Sequence, residues 1–109
     1  MVREMALAVD ARFGDDPAVR RAAQAVASMP HWLAQRRLDL WEEQVDHVLP
    51  AHAESDSPMG LLDDVFELGR SNLYGEFHAE RTAEEFRHVA ARLSAYGLDV
   101  DEGHSVAEW

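Results

Sequence analysis

The chain has 109 residues and contains neither cysteine nor lysine. The lack of cysteine excludes a disulfide framework, a thiolate metal site and a cysteine nucleophile. Apolar runs extend over only a few residues, and the opening Met1-Val2-Arg3-Glu4 lacks the hydrophobic core of a signal peptide. We therefore expect a cytoplasmic protein without a membrane segment.

Positive charge is also scarce, since ten arginines face twenty-one acidic residues and the formal net charge is −11. Residues 1–40 hold six arginines and five acids, whereas residues 41–109 hold four arginines and sixteen acids. A field of this sign repels phosphate backbones and anionic membranes, so a nucleic-acid partner is not expected and a cationic partner is favoured. The same composition is typical of a salt-rich cytoplasm or a high-GC genome.

Strand-like alternation and internal repeats are missing, and apolar residues instead recur at spacings of three and four. This spacing predicts an all-α single domain over 1–109, a four- or five-helix bundle with short connections. The predicted helices span about 2–13, 17–28, 31–49, 58–80 and 83–96, followed by a tail over 97–109.

Two of the predicted helices begin at the same kind of signal. Asp16-Pro17 and Ser57-Pro58 each place a capping side chain before a proline at the first helical position, where the missing amide has no intrahelical partner anyway. Both pairs therefore predict a helix start.

The last predicted helix has a signal at each end. Thr82 and Glu85 have the spacing of a capping box, which predicts a fresh start or a sharp kink near residues 80–82. Gly97 followed by Leu98 predicts a Schellman ending.

The third predicted helix has apolar residues on two sides. Its core stripe is Ala34, Leu38, Trp41, Val45, Val48 and Leu49. Trp32, Leu33 and Leu40 lie well off that stripe, and a tryptophan ends the chain at Trp109. These four residues are our predicted protein interface. The alternative is that Trp32 and Leu40 pack against the first two helices.

Carboxylates and histidines suggest a second type of site. Glu85-x-x-His88 resembles the ligand pair that ferritin-like di-iron proteins present from one helix. Glu76 and Glu80 fall on the apolar side of their helix, where buried carboxylates need a proton, a partner or a metal. The four residues are candidate ligands for iron, manganese or zinc. The alternative is that the apolar stripe leaves the core here and Arg81 or solvent satisfies the carboxylates.

The favoured function is a non-enzymatic helical interaction module that binds a protein partner or a second copy, without a cofactor or catalytic residues. The ferritin-like metal-binding bundle is the first alternative. The second is a helix-turn-helix-like DNA-binding regulator, suggested by Arg20-Arg21 and Arg36-Arg37 on neighbouring helices.

Overall fold

The computed structural model describes residues 2–50, 54, 56–74 and 79–98, with the side chains of 71–74 and 79–82 excepted. Within these residues the chain forms six α-helices and no strand, which confirms the all-α prediction. The helices are α1 (Val2–Phe13), α2 (Pro17–Ala27), α3 (Met29–Ala34), α4 (Leu38–Val48), α5 (Pro58–Tyr74) and α6 (Ala79–Ala95). No helix in the described ranges is both long and apolar enough to traverse a bilayer.

The two predicted caps, each of which comes directly before a proline, form as predicted. The Asp16 carboxylate accepts a hydrogen bond from the Ala18 amide at 3.0 Å, and the Ser57 hydroxyl accepts one from the Gly60 amide at 3.1 Å. Each bond satisfies a backbone donor that the first helical turn leaves without a partner. These local signals therefore fix the starts of α2 and α5.

The predicted Schellman ending is confirmed at the end of α6. Gly97 has a φ of 78°, its amide bonds to the Ser94 carbonyl at 2.9 Å, and the Leu98 amide bonds to the Leu93 carbonyl at 2.9 Å. Leu98 is buried, which supplies the hydrophobic contact of the motif.

The prediction of one continuous helix over 31–49 is wrong. The chain instead forms α3, turns through residues 35–37 and restarts as α4. Arg36 adopts a left-handed φ of 56°, which ends α3 in the way that glycine usually does. Ala34, assigned to the core stripe, is consequently exposed.

A separate last helix is present, as predicted, but Thr82 is not its N-cap, because α6 already includes Ala79 and runs through Thr82 without a break. Alanine, glutamate and arginine at positions 79–81 all favour helix, so nothing in this stretch interrupts the backbone. A capping-box spacing is equally compatible with a helix interior.

Trp41 lies at the centre of the core. Its ring is fully buried and meets Phe66 edge-on, with centroids 4.9 Å apart. A Cβ on Gly69 would lie 2.9 Å from the Trp41 ring, so the glycine allows α5 to approach it closely. Other fully buried apolar side chains come from all six helices: Val2, Met5, Val9, Val26, Met29, Val45, Leu61, Leu62, Val65 and Leu93.

Trp41 also holds α4 against the end of α2. Its indole N–H donates to the Val26 carbonyl at 3.2 Å. In a continuing helix this carbonyl would accept from the amide of residue 30, but Pro30 has none. The tryptophan therefore supplies the donor that the proline removes.

Candidate functional site

The α3–α4 corner, defined as residues 29–44, is the first candidate surface. The Arg36 amide bonds to the Leu33 carbonyl and the Arg37 amide to the Trp32 carbonyl, both at 3.0 Å. These two bonds form a Schellman motif with arginine at the left-handed position. An L-residue there costs roughly 1–2 kcal/mol in backbone strain, and such strain is often found at functional sites.

The three predicted interface residues of this region differ in exposure. Leu33 is 39% exposed, the highest value for a large hydrophobic side chain among the described residues. Trp32 is half-buried, packs partly against the core, and donates its indole N–H to Gln44 at 3.1 Å. Leu40 is half-buried one turn before Gln44, on the same side of α4. Trp109, the fourth interface residue, lies outside the described residues.

Charges of both signs surround the corner. Arg37 forms an exposed ion pair with Asp39, with an Nε–Oδ1 distance of 3.2 Å. The hydrogen bond from Arg37 lowers the pKa of Asp39 below its ordinary value. Beyond this pair, Glu43 and Asp46 lie exposed on α4. The helix that follows the turn therefore presents carboxylates, which does not favour the approach of a DNA backbone.

A groove between α5 and α6 is the second candidate surface. It has a volume of about 440 Å³. Its lining residues are Asp64, Glu67, Leu68, Glu84, Glu85, His88 and Val89. Leu68 and Val89 belong to the buried core and form the floor, whereas Glu67, Glu84 and His88 are exposed along the rim. The groove is thus apolar at its base and acidic at its edges.

Two arginines flank the groove and hold some of its carboxylates. Arg92 forms an ion pair with Asp64. Arg70 contacts Glu67 at 3.0 Å and Glu42 of α4 at 2.9 Å, so it joins α4 to α5. Partial burial lowers the pKa of Arg70, but the two carboxylates outweigh this effect and raise it above its ordinary value. Asp64 and Glu67 of the groove are therefore already paired with arginine.

Two of the four predicted metal ligands, Glu85 and His88, line this groove. Glu76 lies outside the described residues, as does the side chain of Glu80. Where side chains are described, no three histidine, aspartate or glutamate residues are placed to hold a metal ion. Glu43 and His47, which have helical ligand spacing, are both exposed. The metal site therefore stays a prediction.

The α5 side of the groove was not predicted from the sequence. Asp64 and Glu67 lie beside the buried residues Val65 and Leu68, at the edge of the apolar stripe. Their position in the sequence indicates a helix boundary between core and solvent. It does not indicate which helix lies opposite, because that depends on how α5 pairs with α6.

Comparison with known proteins adds no further constraint. No protein-family model, curated protein or solved structure matches this chain. The functional assignment therefore rests on the geometry and chemistry of the corner and the groove.

Proposed function

We propose that the protein is a non-enzymatic interaction module that binds another protein through its α3–α4 corner. The observation that carries the proposal is Leu33, a large apolar side chain left exposed beside the turn in which Arg36 adopts a left-handed φ. Covering its exposed fraction contributes about 1 kcal/mol, and the flanking Trp32 provides the flat, rigid contact area that is common at interfaces.

The arrangement at the corner supports binding more than catalysis. The polar groups next to Leu33 already pair with one another, Trp32 with Gln44 and Arg37 with Asp39. Such pairs orient a surface and form a polar rim around an apolar contact.

Site-specific photo-crosslinking tests the proposal. A photoreactive residue is placed at Leu33 or, as the control, at Gln24, which is exposed on α2. We expect a product of defined mass from position 33 only. An excess of unlabelled wild-type protein should suppress it, whereas an excess of Leu40→Asp should not.

The mass of the product identifies the partner as a second copy or a different protein. Equal crosslinking from positions 24 and 33, or equal suppression by wild type and Leu40→Asp, would rule out the corner as the binding surface.

A further inference from the structure

We draw no further inference here: the strongest candidate, the groove between α5 and α6, has a floor of almost fully buried side chains and carboxylates at Asp64 and Glu67 that arginines already pair, and nothing in the described residues shows what covers it.

Discussion

Replacing Trp41 with phenylalanine tests how the core compensates for the break at the end of α2. The indole N–H bonds to the Val26 carbonyl at 3.2 Å inside the core, where both residues are fully buried. Phenylalanine keeps one aromatic ring, including contact with Phe66, but removes the donor and the second ring. The substitution therefore combines a small cavity with the loss of the indole donor to a buried carbonyl, which keeps only its contact with the Ser28 amide.

The two effects have comparable sizes. Removing the indole donor from this buried acceptor costs about 1–3 kcal/mol. Losing the atoms of the second ring costs about 1–2 kcal/mol in burial and packing. We expect Trp41→Phe to lower the free energy of unfolding by about 2–5 kcal/mol, a large share of the roughly 5–15 kcal/mol that is typical of a folded domain.

Urea denaturation followed by circular dichroism at the helix signal measures this change. Trp32→Phe is the matched control, because it loses an indole bond to Gln44 at the exposed surface, where water replaces the donor. We expect it to cost less than about 1 kcal/mol. Pro30→Ala isolates the hydrogen bond, since it restores an amide that can donate to Val26. In that background Trp41→Phe should cost about 1 kcal/mol less.

Two results would refute this reasoning. The first is a cost for Trp41→Phe no larger than that for Trp32→Phe, which would mean that burial of the indole donor contributes nothing. The second is an identical cost with and without Pro30→Ala. That outcome would show that the missing amide at position 30 has no connection with Trp41.

Three further predictions concern stability, each measured by urea denaturation. Gly69→Ala places a methyl group 2.9 Å from the Trp41 ring and should destabilise the protein by about 1–3 kcal/mol; an unchanged midpoint would mean that α5 shifts freely. Arg36→Gly relieves the strain of the left-handed backbone and should raise the free energy of unfolding by about 0.5–1 kcal/mol. A lower free energy of unfolding would contradict the strain assigned to Arg36. Because Arg37 lowers the pKa of Asp39, their pairing stabilises above about pH 4 and is lost as the pH falls through that lowered pKa. Asp39→Asn should therefore differ most from wild type at pH 7, and the difference should shrink as the pH falls below about 4; a constant difference would contradict this.

The elements that were predicted correctly depend on local chemistry. Asp16-Pro17 fixes the start of α2 because the carboxylate reaches an amide two residues away. Gly97 ends α6 because glycine adopts a positive φ without steric cost. The break between α3 and α4 was missed because Arg36 carries no such signal. The only indication of the break in the sequence is that Trp32 and Leu33 fall on a different side of an ideal helix from the apolar residues that begin at Leu38.

The candidate surfaces were less predictable than the helices. The off-stripe position of Leu33 did indicate an exposed apolar side chain, because helical periodicity alone places it away from the core. The groove could not be predicted from the sequence, for a different reason. Asp64 and His88 face the same space only because α5 and α6 pack side by side, and that register depends on contacts between residues far apart in the sequence.

The buried hydrogen bond of Trp41 connects the core to the proposed interface. Pro30 stops α2 and leaves the Val26 carbonyl without its helical donor, and Trp41 satisfies it only if α4 passes beneath the end of α2. With α2 and α4 fixed at that contact, only residues 28–37 remain to join them. The short α3 and the left-handed Arg36 complete this connection within the available length, and Leu33 is left on the outer side of the turn. The exposed Leu33 thus lies on a connection whose two flanking helices are joined through the buried Trp41–Val26 hydrogen bond, which ties the proposed interface to the core.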